Sequence, residues 1–134
     1  MLEKTLSIIK PDAVERNLEE KIQEILVKKG LVIKEKKKVK ISKEEASEFY
    51  KVHQTKPFYD ELCGYLSSGP IVVMVLEGAN AVLNNREIMG ATDPKKAAEG
   101  TIRKLYGLSI DKNSVHGSDS IENAQKEIQF FFKQ

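Results

Sequence analysis

At 134 residues the chain has room for one hydrophobic core, and residues 1–134 read as a single domain. Hydrophobic residues at 40% and charged residues at 31% exclude a disordered chain, and 22 basic against 20 acidic side chains leave no global attraction to polyanions. The single cysteine, Cys63 in ELCGYL, excludes a disulfide framework and a multi-cysteine zinc site, and reads as a small buried side chain.

The N-terminus, MLEKTLSIIKPD, has charges among its apolar residues and lacks the features of a signal peptide. No run approaches the roughly 20 apolar residues that span a bilayer, so the expected location is the cytoplasm. Thr5 to Ile9 is β-branched-rich and stopped by Lys10-Pro11, a strand. Leu18, Ile22, Ile25 and Leu26 then form one stripe of an amphipathic helix, closed by Lys28, Lys29 and Gly30. The next strand, LVIKEKKKVKIS, carries Lys34, Lys36, Lys37, Lys38 and Lys40, a charge pattern that protects a sheet edge from unwanted pairing.

Ser42 with Glu45 forms a capping-box signature for a helix over 43–50. A second short helix is expected from Pro57 to Tyr65, then a turn at Ser67-Ser68-Gly69-Pro70. IVVMVLEG, the most apolar run, predicts a central strand; a short helix over 79–86 and a loop over 89–100 with at most one helical turn follow. A short strand is expected around Val115. Ser118 or Ser120 then caps a last helix with Ile121, Ala124, Ile128, Phe131 and Phe132 on its apolar face. This order predicts an α+β sandwich of the ferredoxin-like β-α-β-β-α-β class, a four-stranded, mainly antiparallel sheet with helices packed on one face.

Several chemistries are excluded. The chain has no G-x-x-x-x-G-K-[ST] phosphate loop, no G-x-G-x-x-G, no G-x-S-x-G and no H-E-x-x-H, and its two histidines, His53 and His116, lie far apart. What remains centres on NSVHGSDS, 113–120. Neutral imidazole is a good nucleophile, and histidine ordinarily titrates at about 6.5. The following Gly117 admits a bulky electrophile, Ser118 and Asp119 stand at a helix start, and Glu127 points back toward it from two turns after Ser120. Lys10, Arg86 and Arg103 are candidate phosphate ligands, arginine supplying planar paired donors and lysine a point charge. A histidine nucleophile with a phosphate clamp is coherent on residues alone, against the plainer alternative of a packed histidine and solvated surface cations.

TLSIIKPDAV (5–14), F-Y-x-x-H-x-x-x-P-F-Y (49–59), SGPIVVMVLEG (68–78), GATDP (90–94), GTIR (100–103) and NSVHGSDS together make the whole chain resemble the nucleoside diphosphate kinase family. The resemblance implies ping-pong transfer of the γ-phosphoryl group of a nucleoside triphosphate, typically ATP, to a nucleoside diphosphate. A phosphohistidine forms on His116, expected at Nδ1, and base and sugar tolerance is broad.

It further implies that Lys10 binds phosphate near the ribose hydroxyl. Arg86, Thr92 and Arg103 hold phosphates, and Asn113 contacts the ribose 3′-hydroxyl. Phe58 stacks on the base beside Leu62, Tyr50 packs and hydrogen-bonds near the histidine, and Ser118 and Glu127 order it. Mg2+ is expected on the nucleotide phosphates with no protein ligand cage, and the protein as a homo-oligomer, tetramer or hexamer, with no membrane or specific nucleic-acid partner. Arg16-Asn17-Leu18-Glu19-Glu20 stands where relatives often carry glycines, and Lys104-Leu105-Tyr106 where a small or acidic residue before an aromatic is commoner. The alternatives are a nucleotide-binding regulator of the same fold and a nucleic-acid binder using the lysine-rich strand.

Overall fold

Six consecutive residues, Ile71–Leu76, and five in the first strand, Thr5–Ile9, are buried in the computed structural model, which describes residues 2–51, 55, 57, 59–109 and 112–132. A strand buried on both sides needs cover on both sides, and this sets the architecture. The strands are β1 (Leu2–Ile9), β2 (Val32–Val39), β3 (Ile71–Ala79) and β4 (Val115–Gly117), in the order β2-β3-β1-β4 with every neighbouring pair antiparallel. β3 thus lies between β1 and β2, the split crossover of the ferredoxin-like class.

The helices are α1 (Pro11–Glu15), α2 (Glu19–Lys28), α3 (Lys43–Phe49), α4 (Tyr59–Leu66), α5 (Ala81–Met89), α6 (Ile102–Tyr106) and α7 (Ile121–Phe131). Directly opposite residues share a face: Leu6 with Val75 and Ile8 with Val73 on one, Ser7 with Met74 and Ile9 with Val72 on the other. The Ile9–Val72–Met74 face packs with Ile22 and Leu26 of α2, Ile88 and Met89 of α5, and Ile102 of α6. The Leu6–Ile8–Val73 face packs with Ala46 of α3, Cys63 and Leu66 of α4, and Phe131 of α7. Helices therefore cover both faces, where the sequence pattern predicts one. Alternating assignment of the helices to opposite faces is a tertiary choice that periodicity does not encode.

Local chemistry explains most boundaries. Pro11 takes the first turn of α1, where a missing N–H costs nothing. Asn17 supplies the left-handed turn before α2 with φ 59°. Ser42 and Glu45 form the expected reciprocal cap, each bond 3.1 Å long. β1 starts at Leu2, earlier than its apolar run, because its exposed end still pairs with Ala79. α4 begins at Tyr59 rather than Pro57, and α5 is displaced to Ala81–Met89 because β3 runs to Ala79 and Asn80 turns with φ 51°. One 3-10 turn, Pro94–Lys96, occupies the expected loop, whereas α6 was not marked by the pattern. In α7 Ser120 is the cap, its Oγ accepting from Asn123 N at 3.0 Å, and Ile121 is exposed rather than on the buried face.

Candidate active site

β4 is three residues long and carries His116 opposite Ile8 of β1, so the imidazole lies on the face covered by α3, α4 and α7. Phe49 meets it edge-on at 5.3 Å between ring centroids, and Tyr50 at 6.3 Å. Glu127 of α7 places Oε1 2.9 Å from His116 Nε2 and accepts a second bond, also 2.9 Å, from Ser118 Oγ. Ser118 Oγ itself accepts from the backbone N–H of Leu6 at 3.3 Å.

The directions close on one assignment. A carboxylate oxygen accepts, so the tautomer with its proton on Nε2 is the one that satisfies this contact. Glu127 is thus aimed at one ring nitrogen, Nε2, and not at the other.

The flanking residue shows why the strand reads His-Gly. A Cβ on Gly117 would lie 2.4 Å from Asn85 Nδ2 and 2.8 Å from Met89 Cε, both on α5. Gly117 therefore lets α5 approach β4 on the face opposite His116, a packing role rather than access for the electrophile. Arg86 sits exposed in the last turn of α5. Its positive charge reaches Asp119, whose carboxyl is held below its usual range first by the hydrogen bond from Asn123 and then by Arg86 and His116.

Arg103, buried on α6, donates from Nη1 to Gly90 O at 3.0 Å and from Nη2 to Val115 O at 2.9 Å. Burial, then the Arg86 charge, pulls its guanidinium down to about 10, so it remains charged at neutral pH. Its Nε is buried without a hydrogen-bond partner among the described residues. Gly90 accepts this approach at φ 88°, and a Cβ there would lie 2.5 Å from Thr101 Oγ1.

Lys10 closes the site from the end of β1. Its Nζ donates to Asn113 Oδ1 at 3.0 Å, while Asn113 Nδ2 donates to Thr92 O at 3.1 Å. Lys10 and Asn113 are both buried, and Thr92 is exposed. Tyr50 is buried, and desolvation followed by the Glu127 charge pushes its phenol well above the usual range, so it stays neutral. Leu62 is half-buried on α4. Phe58, the expected base platform, lies outside the described residues, as does His53.

The structure thus joins His116, Ser118 and Glu127 by direct hydrogen bonds with Tyr50 beside them, and Lys10, Asn113 and the Thr92 backbone in a second string. Two nearby features carry no strong sequence signal. Asp12 is buried and bonded by Tyr65, Arg16 and Ser114, and Ser114 holds a left-handed φ of 76°. Only the neighbouring Lys10-Pro11 and Asn113 hint at them, since nothing in a serine's identity marks a left-handed backbone.

Among the described residues no three His, Cys, Asp or Glu side chains cluster as a metal-ligand set, and no helix is long and apolar enough to cross a membrane. The family model described as nucleoside diphosphate kinase matches residues 3–134. A nucleoside diphosphate kinase from a Nitratiruptor species is 59% identical over 133 residues, covering 99% of this chain and 97% of its own length. One from Persephonella marina is 58% identical over 131 residues, covering 98% and 94%. Among solved structures, the Aquifex aeolicus nucleoside diphosphate kinase superposes with a TM-score of 0.97 at 44% identity, covering 99% of this chain and 96% of that one. A halophilic enzyme from Halobacterium salinarum, solved in complex with CDP, gives 0.95 at 42% identity, covering 100% and 90%. With the match running through every segment of the site, this chain belongs to the nucleoside diphosphate kinase family.

Proposed function

We propose that this protein is a nucleoside diphosphate kinase that moves the γ-phosphoryl group of a nucleoside triphosphate to a nucleoside diphosphate through a phosphohistidine on His116. The observation that carries the reading is the Glu127–His116 contact at Nε2, because a carboxylate there favours the tautomer whose Nδ1 lone pair is nucleophilic. In the first half-reaction the Nδ1 lone pair forms a bond to the γ-phosphorus as the bond to the bridging oxygen breaks, and the diphosphate departs with that electron pair. The second half-reaction reverses this with a different diphosphate, so one site serves both partners.

The remaining residues act by position and charge, which is what phosphoryl transfer requires. Glu127 stabilises the Nε2–H as positive charge develops on the ring, and Ser118 holds Glu127. Arg86, Arg103, Lys10 and Thr92 take phosphate oxygens, Asn113 the ribose 3′-hydroxyl, and Tyr50 packs beside the histidine. Phe58, with Leu62 beside it, offers a stacking surface that reads no base edge, hence the broad base tolerance. A divalent cation, for which Mg2+ is the proposed ion, would be held by the nucleotide and not by a protein ligand set, and would supply charge neutralisation to the phosphates that Arg86, Arg103 and Lys10 bind. The reading treats residues 1–134 as a single domain assembled into a homotetramer or homohexamer. It places the enzyme in the cytoplasm, where a lone buried thiol is compatible with the reducing conditions.

Incubation with γ-labelled ATP and Mg2+ and then with GDP tests it. The expected result is an acid-labile, base-stable phosphoprotein that passes its label to GDP, with both steps lost in His116→Ala. Near-native turnover in that variant would overturn the assignment of the nucleophile.

A further inference from the structure

Behind Lys10 and Asn113 lies a second polar cluster. Asp12, on α1, is 5% exposed, and Ser114, in the loop before β4, is fully buried. Asp12 Oδ2 accepts from Arg16 Nη2 at 3.3 Å and from Ser114 Oγ at 3.4 Å, while Oδ1 accepts from the Tyr65 hydroxyl of α4. That hydroxyl in turn accepts from Asp12 N at 2.9 Å. Arg16 is anchored as well, its Nε donating to Asp12 O at 3.1 Å and its Nη2 to Tyr106 O at 2.5 Å. A carboxylate this buried is tolerable only when its lone pairs are occupied, and here three different elements occupy them.

What the cluster grips is the one left-handed residue between two residues of the proposed site. Ser114, at φ 76°, separates Asn113 from Val115 and His116. Serine has no intrinsic preference for that conformation, so something around it must hold it. Its backbone carbonyl accepts from Lys10 N at 2.8 Å, and its hydroxyl is tied to Asp12. Lys10 and Asp12 at the start of α1, and Arg16 just past its end, whose Nη2 donates to Ser114 Oγ at 3.5 Å, are therefore all laced to this single residue, and the turn there sets the spacing between Asn113 and His116.

We propose that Asp12, with Arg16, is a positioning residue for phosphoryl transfer: it holds Ser114 in its left-handed turn and thereby aligns His116 with the ribose and phosphate contacts at Asn113 and Lys10. The inference rests on the kinase reading above. Neither Asp12 nor Arg16 touches nucleotide in this account; they act through Ser114.

The test uses the full-length chain and Asp12→Asn, which keeps the shape and removes the charge. Label from γ-labelled ATP with Mg2+ counts phosphorylatable sites, and single-turnover mixing gives the phosphorylation rate per site. The expected outcome is a per-site rate slower by on the order of 10- to 100-fold, the size of effect that small misalignments produce, with the acid limb of the pH profile unmoved because the Glu127–His116 pair is untouched. A merely structural role lowers the melting temperature and leaves the per-site rate at the wild-type value, and that result overturns the inference.

Adding Ser114→Gly to Asp12→Asn should recover part of the lost rate, since glycine adopts the left-handed turn without side-chain ties; no recovery removes Ser114 as the link. Should Asp12→Asn not fold, Arg16→Gln, at a side chain 35% exposed, is read by the same per-site rate. An unlabelled wild-type protein would sink the kinase reading and this inference with it. A labelled wild type with unchanged variants sinks the inference alone.

Discussion

A nucleophilic imidazole must present one nitrogen bare and the other satisfied, and at His116 a single carboxylate oxygen meets Nε2. Because Glu127 Oε1 serves both Nε2 and the Ser118 hydroxyl, the ring and its neighbour are fixed by one group. Glu127→Gln keeps the shape but loses the negative charge that favours the Nε2–H tautomer. The phosphorylation rate should fall roughly 10- to 100-fold, as is typical when a partner orienting a functional imidazole is altered. Rapid-quench measurement of phosphoenzyme formation checks it, and an unchanged rate would detach Glu127 from the chemistry. Gly117 offers a second residue-scale test. Alanine there collides with Asn85 and Met89, and overpacking of this kind costs about 1–3 kcal/mol. The melting temperature should drop accordingly; a neutral result would mean that α5 can retreat from β4.

At the scale of elements, α3 shows how a local signal serves a remote purpose. Its capping box fixes the start of the helix whose end delivers Phe49 and Tyr50 to His116. Ser42→Ala removes one of the two reciprocal bonds and should cost about 1 kcal/mol by thermal or denaturant unfolding. Signals of this type were legible from the residues: the apolar runs of β1 and β3, the lysine-rich edge of β2, the stripe of α2 and the Ser120 cap of α7. The elements that escaped are short. α1 and α6 have five residues each, too few for periodicity to show, and in α6 two adjacent basic residues interrupt the apolar ones as IRKLY. Ile121 misled for a different reason: it lies on the apolar stripe of α7, but in the first turn, where it stays exposed.

On the scale of the whole molecule, the candidate site is a long-range object. Leu6 and Ser118, 112 positions apart, share a hydrogen bond that sets β4 against β1. His116, Ser118, Glu127, Lys10 and Asn113 stand out in the motifs, but neither their grouping nor Asp12 does, because Arg103 binds backbone carbonyls and Asp12 a serine whose conformation sequence does not specify.

Folding also imposes a pH dependence. Asp119 has its carboxyl lowered in the folded state, so its contribution to stability is full above the ordinary carboxylate range and is lost as pH falls through the lowered value. Melting temperatures followed into acid should therefore decline less steeply in Asp119→Asn than in the wild type; identical slopes would mean that the carboxylate gains nothing on folding. Light scattering should give a mass four or six times that of the chain if the proposed assembly is right.

The outermost strand has one more consequence. Ladder bonds from Lys10 to Ser114 and from Ser118 to Leu6 bracket the Ile8–His116 pair, so the Val115 carbonyl turns away from β1 toward the sheet's open side. A fifth strand would normally be needed to satisfy such a carbonyl, and Arg103 stands in its place. The guanidinium is therefore also a stopper against intermolecular strand addition. Replacing it should leave a sticky edge beside His116, so that heat-induced aggregation and, on the proposed mechanism, loss of activity would arise from the same substitution.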